Sequence, residues 1–373
     1  MKVTVNIARI LTGALFIFSG LIKAIDPRGL AYKMQEFFEA WANSGFLPKL
    51  MAALGEHALS FSVIMITLEV AVGVALLLGW QKKLTTWILF LLILFFTFLT
   101  SYVLFSGKIR ACGCFGDCIP ITPVQTFTKD IILLLLSLLL LWKQAYIRPL
   151  LGNKAAGILV LLATVATLFL QWYVQRHLPL KDCLPYKKGN NILELRKMPA
   201  NAVPDKYEMT FVYKKGAEQK EFKMDALPDS TWEFVDRKQV LVEKGKNNVP
   251  VITDFVLTTE SGTDTTEALL SQPGEYYLLF LKDASGLPGS FKKDKELLAA
   301  FAGAGIPAYI VSAGREMAAA RYLQPGTAQQ PVILTGDATT IKTAARADLV
   351  LYKMRGPVIE NKWGWADLDK VKP

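Results

Sequence analysis

The sequence predicts a mainly helical transmembrane bundle followed by a soluble α/β domain, with a small β-rich insert between them. Three observations carry that reading. Hydrophobic residues fill 52% of the 373 positions, more than a single soluble domain needs. They gather in five long runs before Gln175, beyond which charges alternate in sign. Three of the four cysteines fall within residues 112–118, between two of those runs.

The runs are residues 5–22, 59–78, 86–105, 131–142 and 157–173. About 30 Å of hydrocarbon takes roughly 20 helical residues. The fourth run reaches that length only by starting near Thr126 and carrying Lys129 and Asp130 at the interface. The first has the Lys2 and apolar stretch of a signal peptide, but no small-x-small cleavage site follows cleanly. Lys23-Ala24-Ile25-Asp26-Pro27 reads as a helix exit, so this run is expected to stay as an anchor. The chain then divides into a four-helix membrane domain with a cysteine loop (1–150), a fifth span (151–175), a β-rich region (176–250) and an α/β domain (251–373).

The formal net charge of +10 could suit nucleic acid, but its placement argues otherwise. Up to Gln175 there are 14 Lys/Arg against 7 Asp/Glu, and from Arg176 onward 28 against 25. The excess flanks membrane helices, where it anchors and orients them. The bilayer is the expected partner, and nucleic acid is not. Basic residues are densest in Gln81-Lys82-Lys83 and in residues 143–154, which share a side with Lys2. Taking that side as cytoplasmic places the cysteine loop and the C-terminal half outside it. Thiols that cycle or stay oxidised belong in an oxidising compartment. A bacterial inner membrane with a periplasmic domain meets both conditions.

Two crossings separate the loop from Cys183, so parity puts Cys112, Cys114, Cys118 and Cys183 on one side whichever way the protein faces. Four cysteines allow three full pairings, and spacing only ranks them. A Cys112 to Cys114 bridge closes a very small, strained ring, which favours exchange over storage. Cys114 and Cys118 close more easily, leaving Cys112 to meet Cys183. Lys108 and Arg110 upstream favour thiolate, whereas Asp117 beside Cys118 opposes it, which makes Cys112 or Cys114 the expected nucleophile. Gly113 and Gly116, with Pro120 and Pro123 after them, suggest a shaped turn. Two alternatives stand beside redox exchange. The cysteines could form two disulfides that pin the loop onto the bundle, or four thiolates could hold zinc. His57 and His177 lie near no Cys-x2-Cys pair, and oxidation would compete with a thiolate site, so no metal is expected.

Glu69 stands in the middle of the second run, where a carboxylate costs several kcal/mol unless protonated or paired. Arg9 and Lys23 are its candidate partners, with Asp130 a further interfacial carboxylate. It reads either as half of a locking ion pair or as a proton site beside a quinone or thiol pocket, since oxidising two thiols releases two protons. Residues 30–54 interleave Tyr32, Met34, Phe37, Phe38, Trp41 and Phe46 with Lys33, Gln35, Glu36 and Glu39. They read as an amphipathic segment lying on the bilayer.

Together, Arg9-x3-Gly13-x2-Phe16-x2-Ser19-Gly20-x2-Lys23, the intramembrane Glu69 and Cys112-Gly113-Cys114-Phe115-Gly116 resemble the DoxX/MauE superfamily of redox-associated membrane proteins. The likeness covers residues 1 to about 145. It implies a four-helix core and a redox role in the membrane. The family is associated with disulfide formation during maturation of a periplasmic amine dehydrogenase subunit and, more distantly, with thiosulfate:quinone oxidoreductase. The fifth span and the C-terminal half depart from its minimal pattern.

In the C-terminal half, residues 207–213 and 221–224 alternate apolar and polar positions, as strands do. Residues 276–281 read as a buried strand, 291–301 as a helix, 308–311 as a second strand and 331–334 as a short strand. Residues 349–352 and 358–360 close a hairpin around Arg355-Gly356-Pro357, and a helix is expected over 365–371. This β-α-β, hairpin and final helix resembles a thioredoxin-like domain. That fold carries its Cys-x-x-Cys at a helix N-terminus, where a thiolate is stabilised. Here the position reads Gly286-Leu287-Pro288-Gly289, and Ala345-Arg346-Ala347-Asp348 lacks the proline expected before the hairpin. The resemblance therefore implies a redox-dead domain that binds a client or caps the membrane cysteines.

Two functions follow. In the first, Cys112, Cys114 and Cys118 exchange electrons with a periplasmic client or a quinone, aided by Cys183, while Glu69 assists proton movement. In the second, the disulfides are structural and the protein is a non-enzymatic scaffold whose outer half recruits partners.

Overall fold

The computed structural model describes residues 1–109, 113, 116–216, 218–289, 291–323 and 330–372. Among the described residues five helices are long and apolar enough to cross a membrane: α1 (Lys2–Ala24), α4 (Ala58–Leu78), α5 (Lys82–Ser106), α6 (Pro123–Trp142) and α7 (Asn153–His177). Between the first two lie α2 (Pro27–Asn43) and α3 (Pro48–Glu56). Ile7, Leu11 and Phe18 on α1, Leu91 and Phe98 on α5, and Leu161 and Phe169 on α7 are exposed on the bundle's outside. Large apolar side chains there contact lipid.

Small residues set the tightest seam. A Cβ on Gly73 would lie 2.8 Å from Ile17 Cγ1 and 3.0 Å from the Gly13 carbonyl oxygen, and one on Gly20 would lie 2.6 Å from Val70 Cγ2. The backbones of α1 and α4 approach closely because hydrogen stands where a methyl would collide. Arg9, Gly13, Phe16, Ser19, Gly20 and Lys23 are all buried on α1, which makes the spaced motif one helical face.

The short loops at one end of the bundle pack together, with the Leu150 amide donating to the Leu78 carbonyl at 2.9 Å. The opposite end carries α2, α3, the cysteine loop and the C-terminal half. Helix α6 begins at Pro123, ahead of the expected Thr126, because Thr122 and Gln125 form a reciprocal capping box. Asp130 thus falls inside the bundle, 2% exposed, instead of at its interface. Residues 30–54 fall in two helices, α2 and α3, instead of one segment. Asp26 caps α2 by accepting from the Gly29 amide at 3.3 Å, and α2 buries Leu30, Met34, Phe37 and Phe38. Arg28 and Gln35 on α2 reach the C-terminal half, at Asp348 and Lys342.

After α8 (Ile192–Leu195) come β1 (Lys206–Lys215), β2 (Glu218–Lys223) and β3 (Glu233–Glu243), an antiparallel sheet in the order β2-β1-β3. Tyr213 packs edge-on against Phe222 and Phe234 across its strands, and Lys223 pairs with Glu208 at 2.5 Å. The second sheet follows from β4 (Leu257–Thr258), α9 (Thr266–Leu270), β5 (Glu275–Leu281), α10 (Lys293–Gly303), β6 (Ala308–Ser312), α11 (Arg315–Tyr322), β7 (Val332–Gly336), α12 (Ala338–Ala344), β8 (Leu349–Arg355) and β9 (Val358–Gly364). Its six strands run β4-β7-β6-β5-β8-β9. Strands β5, β6 and β7 are parallel, and β8 and β9 form the expected antiparallel hairpin. Central β5 is buried on both faces, which is why it reads as an unbroken apolar run. One face packs Tyr276, Phe280 and Tyr352 with Tyr186 and Ile192 from the linker. The other packs Tyr277, Leu279, Phe301 and Ile310. The short strand expected at 331–334 is a third parallel strand, added to the β-α-β unit. The closing element, Trp365–Lys370, is a 3-10 helix instead of an α-helix.

Gly73→Ala is expected to lower bundle stability by about 1–3 kcal/mol, because its methyl meets backbone that cannot rotate away. Thermal unfolding in detergent, compared with a Gly55→Ala control whose added Cβ meets nothing within 4 Å, measures this.

Candidate functional site

Cys118 and Cys183, 65 residues apart, form a disulfide between the loop that precedes α6 and the linker that follows α7. Their bond requires the common side that crossing parity assigned. It overturns the spacing-based ranking, which put Cys114 with Cys118 and Cys112 with Cys183. Spacing measures only the ease of local closure, whereas α6 and α7 return Cys183 to the loop. Cys112 and Cys114, with Arg110, lie outside the described residues. Gly113 between them has φ of +72°, and a Cβ there would lie 3.0 Å from Lys33 Cγ, so this point of the loop rests on α2.

Each cysteine of the disulfide follows an aspartate, and the six-stranded sheet's domain grips both. Arg346 Nη2 donates to Asp117 Oδ2 at 2.5 Å. Lys362 Nζ donates to Asp182 Oδ2 at 2.7 Å and to the Tyr186 carbonyl at 3.0 Å. Arg346 Nε also lies 3.3 Å from Asp26 Oδ2 at the start of α2. Asp117 is therefore engaged by a guanidinium, which offsets the negative charge beside Cys118.

A second set of charges fixes the sheet to α2. Arg28 Nη2 donates to Asp348 Oδ2 at 2.7 Å, and Lys282 Nζ lies 3.9 Å from the same carboxylate. A Cβ on Gly286 would fall 2.4 Å from the Asp348 carboxyl carbon. The loop Gly286-Leu287-Pro288-Gly289 lies against the aspartate that pairs with Arg28 of α2. The Tyr32 ring has the Arg346 guanidinium 5.2 Å, Lys282 Nζ 5.3 Å and Lys342 Nζ 5.8 Å from its centre. Burial raises the Asp26 carboxyl, with Arg346 opposing. Burial, then the Arg28 charge, lowers Lys282 to about 8, with Asp348 opposing.

Inside the bundle, Lys23 Nζ pairs with Glu69 Oε2 at 2.5 Å and lies 4.7 Å from the centre of the Phe96 ring. Lys129 pairs with Asp130 at 2.6 Å. Both pairs and Ser19 line one cavity of about 20 Å³, enough for a single water, which needs roughly 10–15 Å³. Arg9, the other candidate partner of Glu69, is occupied elsewhere. Its Nε donates to the Leu76 carbonyl and its Nη1 to the Arg148 carbonyl, each at 2.8 Å, and Nη2 donates to the Leu77 carbonyl. A cation at the α4 C-terminus satisfies carbonyls the helix leaves open.

Arg28, Arg346, Asp348 and Lys362 escaped the sequence reading as site residues. The one available signal was charge among small apolar residues in Ala345-Arg346-Ala347-Asp348, immediately before a buried strand.

Comparison with known proteins follows the same division. Residues 1–143 match the family of the methylamine utilisation protein MauE, and residues 207–244, the β1 to β3 sheet, match a domain of unknown function. Protein TlpB of Flavobacterium psychrophilum is 34% identical over 168 residues, covering 43% of this chain and 42% of that protein. The chain thus spans less than half the length of this curated relative. No solved structure matches.

Released from the interface, Lys282 would titrate near 10.5, against about 8 when docked. Between those values the docked form has already shed its proton, so stability rises with pH through that window and is flat below it. Wild type is expected to gain on the order of 2 kcal/mol over Lys282→Met between pH 8 and 10. Limited proteolysis across that range reads the difference.

Proposed function

We propose that this protein is a membrane thiol–disulfide exchange protein of the periplasmic face, in which Cys112 and Cys114 form the couple that meets the client. The observation that carries the reading is the Cys118–Cys183 disulfide held by ion pairs on both arms. It leaves Cys112 and Cys114, on either side of Gly113, as the two cysteines outside that bond, and Gly113 rests on α2. The match of residues 1–143 to the MauE family supports it. A client thiolate attacks one sulfur of an oxidised Cys112–Cys114 pair and forms a mixed disulfide. A second client thiolate displaces it, so the client leaves oxidised and the pair leaves as two thiols. Restoring the pair gives up two electrons and two protons. An acceptor of the quinone class would take both and become the quinol. Glu69, its Lys23 partner and the neighbouring Lys129–Asp130 pair, sharing a water-sized cavity, are the groups suited to handle those protons.

The second reading keeps all four cysteines permanently oxidised and makes the protein a scaffold. The observation that favours it is the same double clamp, which suits a disulfide meant to last. The C-terminal domain serves either reading as a thioredoxin-like cap without cysteines of its own.

Differential alkylation on native membranes separates the two. Cys112 and Cys114 are expected to cycle between reduced and oxidised forms with growth condition, and Cys112→Ser or Cys114→Ser to trap a client as a mixed disulfide, while Cys118 and Cys183 remain bonded. Four cysteines oxidised under every condition, with no trapped partner, would sink the exchange reading. Glu69→Gln is expected to slow reoxidation of the pair at least tenfold without altering the first exchange with client, as followed by stopped alkylation after a reductant pulse.

A further inference from the structure

Where α7 meets the end of β9, a cavity of about 500 Å³ opens between the bundle and the C-terminal domain. The bundle supplies Leu168, Trp172 and Arg176 to its wall, and the domain supplies Pro288, Asp348 and Trp365. The backbones meet closely at this junction, because a Cβ on Gly364 would fall 2.3 Å from the Arg176 carbonyl oxygen. Nearby, His177 Nδ1 lies 3.0 Å from Asp367 Oδ2.

The Arg176 guanidinium carbon lies 4.2 Å from the centre of the Trp172 ring and 5.4 Å from that of Trp365. Indoles on a guanidinium hold its plane and leave its in-plane N–H donors for a planar or tetrahedral anion. Among the described residues no carboxylate pairs with it. Asp348, the carboxylate in the same wall, is taken by Arg28 at 2.7 Å and approached by Lys282 at 3.9 Å. Arg28 also lines the cavity, so two guanidiniums face one carboxylate there and the cavity is net positive. Leu168 and Trp172 are 42% and 46% exposed on the lipid side of α7, giving the cavity an apolar approach from the bilayer.

We propose that this cavity holds the headgroup of an anionic phospholipid, its phosphate on Arg176 and its chains descending along Leu168 and Trp172. The site is independent of the thiol reading. The lipid fills the gap at the junction between membrane and aqueous halves, and its charge answers a guanidinium that no carboxylate among the described residues pairs.

The test uses the full chain, purified from nanodiscs containing equal phosphatidylglycerol and phosphatidylcholine, with retained lipid read by native mass spectrometry. Wild type is expected to keep one phosphatidylglycerol per chain at least fivefold over phosphatidylcholine. Arg176→Gln is expected to lose that preference and Arg176→Lys to keep part of it, both with Cys118–Cys183 intact by alkylation. Equal retention of the two lipids by wild type overturns the proposal without reference to any variant. An unchanged preference in Arg176→Gln, or displacement of the lipid by soluble glycerol phosphate at equal concentration, overturns it as well.

Discussion

A guanidinium withdrawn from water must find carboxylates at its new position, and Arg346 finds two that belong to different parts of the membrane domain. Asp26 starts α2 and Asp117 adjoins Cys118, so a single side chain from the loop before β8 fixes the helix and the cysteine loop to the same point. Removing it would leave the largely buried Asp26 without its cation, and a stranded buried charge costs more than the pair itself contributes. The position of the loop, the seating of α2 and the alignment of the disulfide all depend on that contact. Arg28 repeats the arrangement in reverse, reaching from α2 to Asp348, two residues after Arg346.

Within the lipid the same economy of position holds along α1. One face of this helix carries the glycines that admit α4 and, at its two ends, the cations that hold it. Arg9 satisfies carbonyls at the α4 C-terminus, and Lys23 neutralises Glu69 nearer the other end. A carboxylate in hydrocarbon is tolerable there because its partner lies within a hydrogen bond and an aromatic ring covers the ammonium. The seam between α1 and α4 thus combines close packing with satisfied charge, and the water-sized space beside it is bounded by a second lysine–carboxylate pair.

Much of this was legible in the sequence, for reasons that are local. Five apolar runs need only length to declare themselves, and β5 announces itself by burial on both faces. Crossing parity is arithmetic on those runs, and it put Cys118 and Cys183 on the one side their bond requires. Lys23 was among the named partners of Glu69 because it ends the neighbouring apolar run. What stayed hidden is set at long range. Arg346 to Asp117 spans 229 residues and Arg28 to Asp348 spans 320, and no periodicity relates such positions. The disulfide ranking failed for the same reason, since ring size weighs the chain between two cysteines and ignores helices that fold it back. Arg9 misled because a buried cation in a span suggests a carboxylate partner, while a helix end offers carbonyls that serve as well.

The 65 residues between Cys118 and Cys183 also have a meaning in time. A ribosome delivers roughly 5–20 residues per second, so Cys118 emerges about 3 to 13 s before its final partner. Throughout that interval Cys112 and Cys114 are the neighbouring thiols in its own loop. Any bond Cys118 makes with them must be exchanged before the native pair can close, and the native pair cannot close until α6 and α7 have both been inserted. The disulfide therefore marks the end of assembly, a covalent record that the last helix has arrived.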